Sequence, residues 1–231
     1  MMTISAASIK KVAHEFGADL CGIASIDRFR EAPKGFHPTD VLPSCQSVIV
    51  LAKRFLKSAL LAASTIPYTT VRNELSTQMN LLAVNLSQYL EDLGTVAVPI
   101  NSIGPDEWDA KSQKFRGIIS LKHAAVQAGL GRMGKNTLLV NDKYGNMIWL
   151  SAVCVSEAFE PDPIAAYEGC IKGCRLCLDA CPVHALDGVS IEQPLCRNHA
   201  FGEHNGGEWR IKCFECRKVC PNSLGLKMND H

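Results

Sequence analysis

The spacing of apolar residues predicts an α/β (α+β) domain over the first 160 residues. Ile9, Val12, Ala13 and Phe16 recur at helical intervals, and Gly17 follows where a helix would end. The run 47–53 is almost entirely apolar, which is typical of a strand that is covered on both faces. The further predicted elements are a strand over 19–26, a helix over 71–93 that ends before Gly94, a strand over 95–100, a helix over 121–128, and strands over 138–140 and 147–155.

Two connections in this region carry specific expectations. Residues 101–116 are polar and contain Gly104 and Pro105, so we expect an irregular lid or loop. Residues 141–146 have the composition of a turn, which predicts a hairpin between the strands 138–140 and 147–155. Two prolines within 157–163 mark a domain boundary, beyond which cysteines replace the apolar periodicity.

Composition excludes several classes of protein. The chain has 231 residues, 47% of them hydrophobic, and a net charge of +1, so it is neither a polyanion binder by bulk charge nor too short for a core. No apolar run is long enough for a membrane span, and the opening segment is an amphipathic helix rather than a secretion signal. We therefore expect a cytoplasmic protein that does not contact a membrane.

The cysteines predict two 4Fe–4S clusters. Eight of the 11 cysteines lie between Cys170 and Cys220, and each half of this segment ends in Cys-x2-Cys-x3-Cys-Pro. In bacterial ferredoxins, the cysteine before proline binds the cluster of the other half. The predicted metal ligands are Cys170, Cys174, Cys177 and Cys220 for cluster one, and Cys196, Cys213, Cys216 and Cys181 for cluster two. Zinc bound by thiolates is the main alternative, and disulfides are a lesser one.

A run of glycines precedes the predicted strand over 138–140. Gly129, Gly131 and Gly134 are followed by Lys135, Asn136 and Thr137, which is not a nucleotide-binding P-loop because no Ser or Thr follows the lysine. Such glycines let the backbone approach a ligand, although tight connections between a helix and a strand use them too.

Several segments resemble the epoxyqueuosine reductases, cobalamin-dependent enzymes with two clusters that are related to reductive dehalogenases. They are the cysteine-rich half, Gly-Ala-Asp-Leu-Cys-Gly-Ile-Ala over 17–24, Thr-Asp-Val-Leu-Pro over 39–43, and Ala-Gly-Leu-Gly-Arg-Met-Gly-Lys-Asn-Thr over 128–137. The resemblance implies a nitroreductase-like, mixed-sheet domain over 1–160 that binds a base-off corrinoid beside cluster one. It also implies a small ferredoxin-like domain over 161–231 that holds both clusters.

The resemblance also suggests site residues. The expected cofactor-binding residues are Gly129, Gly131, Arg132, Gly134, Lys135, Asn136 and Thr137. The family uses an acidic residue as a proton donor. Here the position reached by counting back from the glycine run is Phe115, and the nearest acids are Asp106, Glu107 and Asp109, so no catalytic residue is assigned.

Three functions follow as hypotheses. The favoured one is a reductase that passes electrons through two clusters to a corrinoid, with a small molecule or a modified nucleoside, and potentially tRNA, as substrate. The alternative is a non-catalytic electron-transfer protein that docks a partner enzyme, and a flavin-containing scaffold ranks last. An acidic ferredoxin or flavodoxin is the expected electron donor, because basic residues surround the cysteines.

Overall fold

The computed structural model describes residues 4–110, 114–203 and 207–226, and confirms the α+β class. Helices α1 to α7 span Ala6–Glu15, Pro38–Val41, Ile66–Asp92, Leu121–Gln127, Leu176–Asp179, Gln193–Ala200 and Glu215–Lys218. Strands β1 to β10 span Leu20–Ser25, Ser47–Arg54, Ala97–Ile100, Glu107–Asp109, Lys114–Arg116, Arg132–Met133, Leu139–Val140, Ile148–Val155, Phe201–Glu203 and Trp209–Ile211.

The central sheet has four strands in the order β1-β2-β8-β3, and every neighbouring pair is antiparallel. The expectation of a mixed sheet was therefore wrong for the described residues. The helix α3 does connect two strands, β2 and β3, that run in the same direction. However, β8 lies between them and runs the opposite way, so no two parallel strands become hydrogen-bonded neighbours.

Both faces of the sheet are covered, as the apolar run of β2 predicts. Val48 and Val50 face one core cluster, which α4 covers, whereas Ile49 and Leu51 face a second cluster, which α1 and α3 cover. All four of these side chains are fully buried. The alternation of side chains along a strand explains why β2 has no polar face.

The helix α3 connects the sheet to the cysteine-rich region. It begins at Ile66, five residues before the predicted start, because Pro67 lies in its first turn, where a missing N–H is tolerated. The ring of Tyr68 stacks on that of Phe214, with 4.0 Å between centroids and 11° between planes. The Thr69 hydroxyl accepts a hydrogen bond from the Ile211 backbone N–H at 3.1 Å. These contacts hold the region after residue 200 against α3.

Two of the predicted connections need correction. Part of the expected irregular segment is a short hairpin of β4 and β5, and residues 111–113 lie outside the described part of the chain. The predicted hairpin between 138–140 and 147–155 does not form, since β7 pairs with β6 and β8 pairs with β2 and β3. The turn itself is present, as an Asn141–Gly145 bridge. A Cβ atom at Gly145 would lie 2.0 Å from the Asn222 carbonyl oxygen, so the C-terminal segment packs directly on this turn.

The predicted boundary segment 157–163 packs on the first domain. The Asp162 carboxylate accepts a hydrogen bond from the Ile23 N–H at 2.8 Å and forms an ion pair with Lys10. A Cβ atom at Gly129 would lie 2.2 Å from the Pro163 carbonyl oxygen. The division into 1–160 and 161–231 stays a prediction, and its last residues, 227–231, lie outside the described chain. Within the described residues, no helix combines the length and apolarity needed to cross a membrane.

Candidate metal centre and adjoining cavity

The eight clustered cysteines line two separate small cavities. Cys170, Cys174, Cys177 and Cys220 line one, which we call the first quartet. The second quartet, which lines the other cavity, consists of Cys181, Cys196, Cys213 and Cys216. This grouping is the one that the spacing predicts, with the cysteine before each proline in the quartet of the other half. Their role as metal ligands stays a prediction.

Two one-turn helices explain how each fourth cysteine reaches the opposite quartet. Cys177 lies in α5 and Cys216 lies in α7, and these two helices pack against each other. After each helix, the backbone reaches a cysteine that precedes a proline, Cys181 after α5 and Cys220 after α7. The short helices and the prolines that follow therefore place each fourth sulfur in the quartet of the other half.

Burial controls the protonation of these thiols. It raises the pKa of Cys216 to about 11, an effect that the Arg217 charge opposes and the Cys196 thiolate reinforces. Burial also raises the pKa of Cys177, with further increases from Cys170 and Cys174 of the same quartet. The free thiols of Cys177 and Cys216 are thus neutral near pH 7, and metal binding would release their protons.

The surroundings of the sulfur atoms bear on which metal group fits. Among the described residues, no three His, Cys, Asp or Glu side chains converge on a single metal position. Backbone N–H groups also point at sulfur, from Lys135 to Cys170 and from Ala185 to Cys181, both at 3.3 Å. Four thiols around each cavity, with N–H donors to sulfur, suit a cubane cluster.

A cavity of about 610 Å³ lies beside the second quartet. Its wall includes Ile148 and Leu150 of the sheet, Phe115 of the β4–β5 hairpin, and the three cations Arg116, Lys122 and Arg217. The wall combines a predominantly apolar surface with several charged and amide side chains, which suits a small molecule or cofactor.

Two polar side chains in this wall lack a hydrogen-bond partner among the described residues. Asn146 is only 1% exposed and lines the cavity, and neither its side-chain oxygen nor its nitrogen has a hydrogen-bond partner among the described residues. The hydroxyl of Ser102 lines the same cavity and also lacks a partner there. Buried polar groups are nearly always hydrogen-bonded. The cavity therefore suits a ligand that carries amide or hydroxyl groups.

A second cavity of about 450 Å³ adjoins the first. The two share Phe36, Ile119 and Ser120 in their walls. His123 lines the second cavity, where its ring nitrogen lies 2.7 Å from the Ser120 hydroxyl. An elongated ligand with a compact ring and a long substituent could occupy both spaces.

Lys122 and Arg217 lie between the large cavity and the second quartet. Burial lowers the pKa of Lys122, the Arg217 charge lowers it further, and the thiolates of Cys216 and Cys196 act in the opposite direction. The Lys122 ammonium donates to the Thr137 carbonyl oxygen at 2.6 Å. Since both cysteines belong to the second quartet, Lys122 lies between that quartet and the large cavity. The resemblance implies a corrinoid beside cluster one, and that expectation stays a prediction.

The glycine run lies away from the large cavity, because none of the seven expected cofactor-binding residues is in its wall. A Cβ atom at Gly131 would lie 2.5 Å from the Val140 carbonyl oxygen, so this glycine permits close backbone packing between β6 and β7. Gly129 packs against Pro163 in the same way. Lys135 and Asn136 line the first-quartet cavity instead. Of the remaining members of the predicted set, Arg132 lies in β6, whereas Gly134 and Thr137 flank Lys135 and Asn136 in the turn.

The acids near the hairpin separate into two groups. Asp106 and Asp109 line the large cavity, whereas the Glu107 carboxylate pairs with Arg116 at 2.6 Å. Sequence reasoning missed Asn146, Ser102 and Lys122 as cavity residues. Asn146 belongs to a segment with ordinary turn composition, so only its burial without partners reveals it.

Comparison with known proteins supports the resemblance seen in the sequence. No family model matches the chain. It is 31% identical to the epoxyqueuosine reductase of Staphylococcus aureus over 144 residues, which are 58% of this chain and 37% of the relative. It is 24% identical to that of Leadbetterella byssophila over 256 residues, covering 92% of this chain and 78% of the relative. The chain thus matches about a third of the length of the first of these relatives.

Solved structures agree with this relationship at the level of the fold. The epoxyqueuosine reductase of Streptococcus thermophilus superposes with a TM-score of 0.66 at 19% identity, over 95% of this chain and 66% of that one. An epoxyqueuosine reductase with an epoxyqueuosine-modified tRNA stem loop gives 0.61 at 19% identity, over 94% and 64%. A reductive dehalogenase described as B12-dependent gives 0.55 at 17% identity, over 78% and 25%. The predicted similarity to epoxyqueuosine reductases and reductive dehalogenases is confirmed.

Proposed function

We propose that this chain is an iron–sulfur oxidoreductase of the epoxyqueuosine reductase type. In this proposal the two cysteine quartets hold two 4Fe–4S clusters, and the large cavity holds a corrinoid on which reductive chemistry takes place. The main supporting observation is that Lys122 and Arg217 lie in the cavity wall and also beside the second quartet. The sequence similarity to curated epoxyqueuosine reductases supports the same assignment.

The proposed architecture has two parts. Residues 1–160 would form the nitroreductase-like, corrinoid-binding domain, and residues 161–231 the ferredoxin-like domain. When bound, the clusters would supply one-electron transfer and the corrinoid a metal centre for reductive chemistry. Two features of the cavity suit a corrinoid. The unpartnered polar atoms of Asn146 and Ser102 suit its peripheral amides, and the adjoining cavity suits a displaced nucleotide tail.

The chain's own residues give the cavity its chemical character. Arg217 is buried and donates to the backbone oxygen of Asn146, which holds the guanidinium between the second quartet and the cavity. Its positive charge and that of Lys122 would favour the arrival of negative charge in this part of the site. Asp106 and Asp109 lie in the wall near the hairpin, and one of them is our candidate proton donor to the substrate.

A relative suggests the substrate, and the charges near the first quartet suggest the electron donor. A solved epoxyqueuosine reductase holds an epoxyqueuosine-modified tRNA stem loop. We propose a modified nucleoside, within tRNA or as a smaller molecule, as the substrate of this chain. An acidic ferredoxin or flavodoxin is the proposed electron donor, with exposed Lys172 and Arg175 near the first quartet as its contacts.

Anaerobic purification followed by cofactor analysis tests the proposal. We expect about eight iron and eight sulfide per chain, a broad absorbance in the blue that bleaches with dithionite, and cobalamin that stays with the protein through gel filtration. Two clusters without retained cobalamin would favour the alternative, an electron-transfer protein that docks a partner enzyme. Zinc in place of iron would refute both functions.

A further inference from the structure

The turn at residues 134–137 contacts both cysteine quartets at once. On the side of the first quartet, the Lys135 backbone N–H donates to the Cys170 sulfur at 3.3 Å, and the Lys135 ammonium donates to the Cys174 carbonyl oxygen at 2.7 Å. On the side of the second quartet, the Asn136 side-chain amide donates to the Cys216 carbonyl oxygen at 3.0 Å. Two adjacent residues of the first domain thus bind the cysteine loops of both quartets.

This turn is held rigidly. Asn136 is 3% exposed, and its side-chain oxygen accepts a hydrogen bond from the Leu138 N–H at 3.2 Å. A Cβ atom at Gly134 would lie 2.9 Å from the same oxygen, so the glycine lets the amide fold back over the turn. The Thr137 carbonyl oxygen accepts from Lys122. Because every polar atom of the Asn136 amide is used, its position is fixed relative to both quartets.

We propose that Lys135 and Asn136 are positioning residues for electron transfer between the clusters, and we call the pair the relay clamp. The proposal rests on the proposed function, since it requires both quartets to hold 4Fe–4S clusters. Adding one electron to a cluster makes its net charge more negative by one. The Lys135 ammonium and N–H would stabilise that charge on cluster one, because cluster potentials rise with nearby positive charge and with hydrogen bonds to sulfur.

Asn136 has the complementary role of fixing the loop that carries Cys216. Cys216 belongs to the second quartet, and its thiol interacts electrostatically with Cys177 of the first quartet. Cys216 lies in α7 and Cys177 lies in α5, and these two helices pack against each other, so this pair connects the two quartets. A tether on the Cys216 carbonyl oxygen keeps the separation between the clusters constant, and that separation governs how strongly their spins interact.

The Lys135 part is tested by anaerobic potentiometric titration with electron paramagnetic resonance. We expect Lys135→Met to lower the ratio of reduced to oxidised cluster one about tenfold at a fixed potential, which is about 59 mV for a one-electron couple. Lys135→Arg keeps the charge and should restore the wild-type ratio. Lys172→Met removes an exposed charge that lies two residues from Cys170, so it should change the ratio far less.

The Asn136 part uses the fully reduced protein, in which two paramagnetic clusters broaden each other's resonance lines. We expect Asn136→Leu to weaken this broadening at unchanged iron content. The control Asn198→Leu changes an exposed residue near Cys196 and should leave the broadening unchanged. Equal effects of Lys135→Met and Lys172→Met, or full broadening in Asn136→Leu, would overturn the relay clamp while leaving the proposed function intact. A wild-type protein without iron–sulfur clusters would overturn both.

Discussion

Replacing Asn146 by Leu should stabilise the protein while it lacks a corrinoid. The Asn146 amide is buried in the cavity wall, and neither of its polar atoms has a partner among the described residues. A buried polar group without a partner costs about 1–3 kcal/mol, and leucine fills a similar volume without that cost. We therefore expect the cluster-loaded variant to gain about 1–3 kcal/mol in free energy of unfolding, which raises Tm by roughly 2–4 °C per kcal/mol.

The same substitution should weaken corrinoid binding. A bound ligand with peripheral amides would supply partners for the Asn146 side chain, and each hydrogen bond contributes about 0.5–1.5 kcal/mol. We expect the Kd for hydroxocobalamin, measured by anaerobic titration of the visible spectrum, to rise about tenfold, the equivalent of roughly 1.4 kcal/mol. Stability and affinity thus move in opposite directions, which is a pattern that general damage to the fold would not produce.

Ser151→Ala provides the matched control. The Ser151 hydroxyl is fully buried and also lacks a partner among the described residues, but it is not in the cavity wall. This variant should gain stability without a change in Kd. If Asn146→Leu is less stable than wild type and binds cobalamin equally well, then Asn146 does not face a ligand and our assignment of the cavity is wrong.

Three further predictions concern the cysteines and the link between the two regions. Cys216→Ser should lose about half of the bound iron, while Cys154→Ser, in the sheet core, should retain all of it; equal losses in an iron assay would contradict the proposed ligand set. In cluster-loaded protein at pH 8, a thiol reagent should react with almost no cysteine. Burial raises the pKa of Cys21 to about 12, and the other two cysteines outside the quartets are buried. Removing the iron with a chelator should make eight more cysteines reactive. Tyr68→Ala should cost about 3–5 kcal/mol in a denaturant titration, because its stacked ring is buried; the exposed Leu61→Ala should cost almost nothing, and a similar loss at both positions would argue against the Tyr68–Phe214 link.

The sequence predicted those features that depend on local spacing. The buried strand at 47–53 was predictable because its apolar residues fill both faces, and the quartets were predictable because cluster ligands recur at fixed short intervals. Strand pairing was not predictable in the same way. Residues 141–146 do form a turn, yet β7 pairs with β6, while β8 pairs with β2 and β3 in the centre of the sheet, where nearly all of its residues are buried.

The large cavity was harder to predict, since it depends on contacts between distant segments. Asn146 and Arg217 are 71 residues apart, and although Arg217 falls within the second cysteine motif, it occupies one of its variable positions. The glycine run shows the opposite case, in which a recognisable motif suggested a ligand. Its glycines permit close backbone packing against Pro163 and Val140, and the residues after them contact the cysteine quartets. The motif thus identified an important segment, whose binding of a cofactor stays a prediction.

The long insertion between Cys196 and Cys213 explains why this chain departs from the spacing of a minimal ferredoxin. Gln193, at the start of the helix that carries Cys196, accepts a hydrogen bond from the Phe115 N–H and donates one to the Phe115 carbonyl oxygen, both at 3.0 Å. Near the other end of the insertion, Ile211 donates to Thr69 of α3. A short Cys-x2-Cys loop would lack Ile211 and its contact with α3. The extra residues therefore attach the second quartet to the first domain, and Gln193, just before Cys196, attaches it to the hairpin over the large cavity.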